Sequence, residues 1–255
     1  MLVECRRLSS ADMVYIGIDG CKLGWFTVSL DAEGNWEINS FGMIDKLWEH
    51  CKASKLILID ITIGLRDGGI EERICDKEAR QILGPKRGST VFRVPCRAAV
   101  YTDTYRKASE ANAQMTGKKL PKQTWGIIPK IREVDQLLLA DASARTRIKE
   151  IHPEVCFWAL NNCQSMRYSK KKVEGFEERR KVLRSVYPYT DDVLNYSLQK
   201  YRRKEVSKDD ILDALVAAVT ASKERLGLLT IPEVPEFDSK MLPMEMVYFS
   251  NIKNR

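Results

Sequence analysis

Four acids in this chain stand where oxygen chemistry could be done: Asp19 in GIDGCKLGW, Asp60 in LILIDITIGL, Glu154 in IHPEVCFW and Asp213 in DDILDALVAAVTA. Asp19 and Asp60 each close a strongly apolar run, and a carboxylate is costly to set there unless something compensates it. A divalent cation would do so, because Mg2+ and Mn2+ prefer hard oxygen ligands. Two such ions about 4 Å apart can activate a water and steady the leaving oxygen of a phosphodiester, so no nucleophilic side chain is required. Taken singly, each acid has a plainer account. Asp19 and Asp60 suit strand-end turns, Glu154 follows Pro153 in the first turn of a helix, and Asp209 and Asp210 suit a helix N-terminus. Asp213 lies a full turn further in, on the face it shares with Asp210, and that account covers it less well.

Basic residues would supply the contacts to a phosphate-bearing substrate. The densest group is Lys170, Lys171 and Lys172 with Arg179, Arg180 and Lys181. Lys170 and Lys171 are the candidates taken from it, joined by Arg97, which follows Pro95 near a helix start, and by Arg132, which could equally pair with Glu133. Lys118, Lys119 and Lys122, and Arg202, Arg203 and Lys204, read as solvated surface. Trp25, Trp125, Phe157 and Trp158 offer faces on which bases could stack, although burial in the core is the simpler account of each.

These residues need a scaffold, and the apolar pattern describes one. Runs at 13–19, 25–30 and 36–38, separated by Gly20, Gly24, Gly34 and Asn35, predict a three-stranded antiparallel meander. A helix over 44–51 and a buried strand over 55–59 follow, so the chain opens in the order βββαβ. Helical spacing at 71–83, 97–114 and 122–140 predicts a helical insertion around 71–145. Residues 147–151 alternate as a strand that leads into a helix at HPEVCFWAL. The stretch 169–181 reads as a polar loop and helix start, with helices over 191–199 and 208–226 after it. Pro232, Pro235 and Pro243 mark an extended tail in which 246–249 return as an edge strand. The expected class is α/β, a central mixed sheet with helices on both faces, in one domain over 13–255 behind a flexible extension at 1–12. Sites in open α/β sheets form at the carboxyl ends of central strands, where Asp19 and Asp60 fall.

Composition narrows the classes. With 44% hydrophobic and 30% charged residues the chain is not of a disordered type. No apolar run approaches the roughly 20 residues that span a bilayer, and the first dozen residues lack a signal-peptide core, so no membrane partner and a cytoplasmic location are expected. The 7 cysteines contain no C-x-x-C pair, which speaks against a disulfide framework and a structural zinc site and leaves reduced, mostly buried thiols. With only His50 and His152, a histidine-rich metal cage is excluded. The net charge of +7 is compatible with a polyanionic partner such as DNA or RNA.

Eight blocks in order carry a family resemblance: GIDGCKLGW, DITIGL with the following DGG, CDKEAR, VFRVPCRAAV, QTWGIIPKIREVD, HPEVCFWAL, SKKKVEGFEERR and DDILDALVAA. From about Met13 to Gly227 the chain resembles an uncharacterised prokaryotic family of predicted nucleases with a ribonuclease H-like fold, domain of unknown function 429. The resemblance implies a fold shared with ribonuclease H, transposases and RuvC-type junction resolvases, whose carboxylates hold two Mg2+ or Mn2+ ions. It implies Asp19 as the acid of the first strand, Asp60 as that of the fourth strand and Asp213 as that of the last helix, with Glu154 completing the set. The expectation is a divalent-metal-dependent nuclease acting by a two-metal mechanism. The rival readings are a phosphotransferase or ATPase of the actin-like branch, for which 255 residues without an internal repeat are short, and an inactive nucleic-acid-binding protein.

Overall fold

The computed structural model describes residues 14–252, so the extension expected over 1–12 lies outside the described residues. The β-branched and aromatic run after Val14 forms β1 (Tyr15–Cys21), which turns back through β2 (Gly24–Leu30) and β3 (Trp36–Phe41) as an antiparallel meander. Helix α1 (Ile44–Cys51) returns the chain to β4 (Leu56–Ile59), which lies parallel to β1, and β5 (Ile148–Glu150) adds parallel to β4. The result is a five-stranded mixed sheet of order β3-β2-β1-β4-β5 in an α/β protein.

Between β4 and β5 runs the expected helical stretch: α2 (Ile74–Arg87), α3 (Arg97–Val100), α4 (Tyr105–Thr116), α5 (Lys122–Ala140) and α6 (Ala142–Arg147). The single helix anticipated over 97–114 is two. The chain breaks at Tyr101–Thr104, where the Thr104 side chain accepts from the Lys107 amide and starts α4 afresh. After β5 come α7 (Pro153–Leu160), α8 (Val173–Val186), α9 (Thr190–Lys200) and α10 (Lys208–Ser222). The tail is a hairpin of its own, β6 (Leu229–Phe237) against β7 (Pro243–Tyr248), rather than an edge added to the main sheet.

Alternation along the strands divides the interior in two. Ile16 and Ile18 of β1, with Ile57 and Ile59 of β4, face α1 and the α3–α6 insertion. Tyr15 of β1, Leu58 of β4 and Phe26 and Val28 of β2 face α7 to α10 and the hairpin. Helix α10 lies directly across β1 because Gly17 has no side chain: a Cβ there would stand 2.1 Å from the Ala214 carbonyl oxygen and 2.2 Å from the Ala218 nitrogen. Six cysteines fall in the described residues, all free and five of them buried. No helix among the described residues is long and apolar enough to cross a membrane.

Candidate functional site

The strand period of two decides where the acids point. Asp19 follows Gly17 by two residues and Asp60 follows Leu58 by two, so both face the α10 side of the sheet. The parallel register that pairs Ile18 with Ile59 continues through the Asp60 amide, which donates to the Ile18 carbonyl at 2.9 Å and sets Asp60 beside Asp19. Asp213 immediately precedes Ala214, the residue that rides on Gly17, and so projects onto the same strand ends. Three carboxylates from three distant segments therefore meet.

Their electrostatics reflect that meeting. Burial, then the Asp60 and Asp213 charges, raise the Asp19 carboxyl well above its ordinary range. Burial and then Asp213 push Asp60 up to about 8, against the pull of Lys170. The Lys170 ammonium pairs with Asp213 Oδ2. Burial acts to lower the Lys170 pKa, but the combined charges of Asp213, Asp19 and Asp60 outweigh it and hold the ammonium above its usual value. The second Asp213 oxygen, Oδ1, is buried with no hydrogen-bond partner among the described residues. As the side chains stand, no three His, Cys, Asp or Glu residues among those described form a ready-made cage for an ion.

Glu154 lies at the start of α7 but is engaged elsewhere. The wholly buried Arg179 guanidinium donates to Oε1 from Nη2 at 2.6 Å and from Nε at 3.1 Å, and to Oε2 at 2.8 Å. Arg179 also donates to the Tyr168 and Gly175 carbonyls, so it anchors the loop that carries Lys170. The basic run expected to meet phosphates thus divides. Arg179 points inward, Arg180 pairs with Asp191 at 2.7 Å, and Lys171 is exposed at the rim of the site.

Asp19, Asp60, Glu154, Lys170 and Lys171 line a cleft of about 700 Å3. Arg97 and Arg132 do not line it. Arg97 binds Asp135 and Asp238, each at 2.5 Å, tying the insertion to the C-terminal hairpin. Arg132 donates to the Val100 and Thr102 carbonyls at 2.8 and 2.6 Å, holding the break between α3 and α4 to α5. Glu133 is not its partner but accepts from the Trp25 indole and the Ile44 amide. Trp25 and Phe157 are fully buried, and Trp125 and Trp158 pack at the edges of the two cores.

Other residues of the cleft were not singled out from the sequence. Arg73, Asp76 and Glu150 form a buried network at its side, in which Arg73 donates to Asp76 at 2.6 Å and to Glu150 at 2.7 Å. Glu150 also accepts from the Ile63 amide at 2.7 Å, and Asp238 from the Leu65 amide at 2.9 Å, so the turn after Asp60 is held from both sides. Phe92, Thr124 and Lys130 line the cleft as well, and Lys130 packs against Gly20 and donates to the Gly24 carbonyl. His152 lines the cleft too. Burial holds it neutral, its pKa lowered to about 4, and its Nδ1 has no partner among the described residues. The available signals were local: Asp76 lies within CDKEAR with Arg73 three residues before it, and His152 sits within HPEVCFWAL.

Asp19 and Asp213 are buried and Asp60 is half-buried, and these carboxylates, one of them with an unpartnered oxygen, are hard donors of the kind that suits Mg2+ or Mn2+. No curated protein and no solved structure matches the chain significantly. The model of the family described as a protein of unknown function (DUF429) matches residues 17–237, and the chain belongs to that family.

Proposed function

We propose that this protein is a divalent-metal-dependent hydrolase of nucleic-acid phosphodiesters, built on the ribonuclease H-like plan. The observation that carries the reading is the meeting of Asp19, Asp60 and Asp213 at the carboxyl ends of β1 and β4 under α10, with Asp213 Oδ1 unpartnered. Support for the plan comes from the sheet order and from the helix laid across the first strand. Mg2+ or Mn2+, when bound, supplies the Lewis acidity that makes water a competent nucleophile and neutralises charge at the phosphate. Asp19, Asp60 and Asp213 hold the ion, while the Arg179 pair leaves Glu154 to brace the Lys170 loop. Lys171 at the rim contacts a phosphate, and Phe92, which lines the cleft, offers a face to a base.

The test is cleavage of mixed DNA and RNA substrates with Mg2+ or Mn2+. Activity is expected in the wild type and reduced on the order of 100-fold or more in Asp19→Asn and Asp60→Asn. Cleavage that persists equally in both variants would falsify the assignment. One observation favours a second reading: Lys170 already sits in the anionic centre, as it would in a protein that binds nucleic acid without cutting it. Salt-sensitive binding with no cleavage under either metal selects that reading.

A further inference from the structure

We propose that the cleft takes nucleic acid as a single strand, drawn in past one face of α5, and excludes the duplex. This rests on the reading above for the kind of substrate and adds its form. The lining of the cleft runs from buried to exposed. Asp19 and Glu154 are buried and Asp60 half-buried, whereas Thr90 after α2, Gln123 and Gly126 on α5, and Lys171 before α8 are exposed. The acids are therefore the floor, and three separate segments form the mouth through which a phosphate must pass. The volume of about 700 Å3 falls in the range of about 300–1,000 Å3 that encloses small ligands. A duplex is wider than its own major groove of about 12 Å, and its paired backbone cannot leave the helix to follow a floor set below such a mouth. An unpaired strand can turn a nucleotide inward.

The α5 wall is shaped for such a strand. Gln123, Gly126 and Lys130 all line the cleft, and their spacings of three and four put them on one helix face. Glycine inside a helix is destabilising relative to alanine, and neither backbone nor packing accounts for it here. Gly126 lies within α5 without a positive φ, and a Cβ on it would meet no atom within 4 Å. The missing side chain leaves room in the cleft, where the half-buried Phe92 presents an aromatic ring. One turn further along α5, the Lys130 ammonium lies 4.3 Å from the centre of the Trp25 ring and gives a hydrogen bond to the Gly24 carbonyl, which leaves its other donors for a phosphate. Lys171 offers a second ammonium at the mouth. A bare wall, an aromatic face and ammonium groups along the path suit a chain of unpaired bases joined by phosphates.

Fluorescence polarisation of a short labelled DNA or RNA strand, alone and annealed to its complement, tests this without reference to turnover when run in chelator and again in Ca2+. The wild type is expected to bind the strand about tenfold or more tighter than the duplex. Gly126→Leu, which fills the open space with a good helix former, should melt at or above the wild type and yet lose about tenfold or more in affinity for the strand. Phe92→Leu, which keeps apolar bulk and removes the ring, should lose about 5-fold or more. Should Gly126→Leu fail to fold, the strand preference and Phe92→Leu decide. A duplex bound as tightly as the strand, a mononucleotide that competes as well as the strand, or unchanged binding in folded Gly126→Leu overturns the proposal. Duplex cleaved as fast as single strand overturns it too and leaves the hydrolase standing. The expected binding without cleavage under Mg2+ or Mn2+ supports the single-strand cleft and removes only the hydrolase. No binding of any nucleic acid removes both.

Discussion

Burial and the neighbouring charge of Asp213 hold Asp60 protonated until about pH 8, whereas the same carboxyl in an unfolded chain ionises near 3.8. The fold therefore binds the extra proton, and its stability should decline as pH rises from about 4 to about 8 and level off beyond. Asp19, raised by burial and by Asp60, acts in the same direction. Thermal melts in chelator are expected to show a midpoint that falls between pH 5 and pH 8, and a flatter profile for Asp60→Asn. Mn2+ should reverse the trend, because an ion needs the ionised carboxylates and its stabilisation grows as protons leave. A midpoint that climbs with pH in chelator contradicts this account. At the same scale, Arg179 and Glu154 form a buried pair whose disruption strands a charge. Arg179→Met should cost about 3–5 kcal/mol in denaturant melts, with Glu154→Gln in the same background recovering part of the loss. The four acids could be picked from the sequence because each closed or entered an apolar stretch. Their partners could not: what neutralises Glu154 is a residue 25 positions away inside a run of bases expected to meet phosphates.

Among the elements, α10 and β1 do most to assemble the centre, and Gly17 is the point where they touch. Gly17→Ala would drive a Cβ into the helix backbone, which a flexible side chain cannot relieve, so the helix must lift. Overpacking of this kind costs about 1–3 kcal/mol or more, and the same shift withdraws Asp213 from Asp19. Weaker Mn2+ binding alongside a lower unfolding midpoint is the expected outcome; a fully stable variant with unchanged binding would show that the helix does not position Asp213. The strands β1, β2 and β4 and helices α1 and α5 were legible because alternation and helical spacing are properties of neighbouring residues. The break between α3 and α4 was not, since the apolar spacing continues across Tyr101–Thr104 while the Thr104 cap and the Arg132 contacts to Val100 and Thr102 end one helix and begin another. The hairpin of β6 and β7 was legible only as extended chain, because a run broken by prolines says little about which strand it will pair with.

Across the whole molecule the excess of bases gives a net charge of +7, and the exposed Lys171 lies where that field would meet a polyanion entering the cleft. Affinity for nucleic acid should fall linearly on logarithmic axes as salt rises, and Lys171→Ala should lower the slope by about one. A slope unchanged in that variant would remove Lys171 from the phosphate path. Arg97 and Arg132, expected from the sequence to share this role, instead hold the architecture, and no local pattern could have distinguished the two uses when one partner of Arg97 lies 141 residues further on. That partner, Asp238, also receives the Leu65 amide and two amides of its own turn, Lys240 and Leu242. One side chain near the C-terminus therefore clasps the segment that leaves Asp60. A shortened chain ending before this clasp would keep every acid of the centre and still forfeit the placement of Asp60, so damage at the far end of the polypeptide would be felt first at a pocket to which that carboxylate contributes nothing directly.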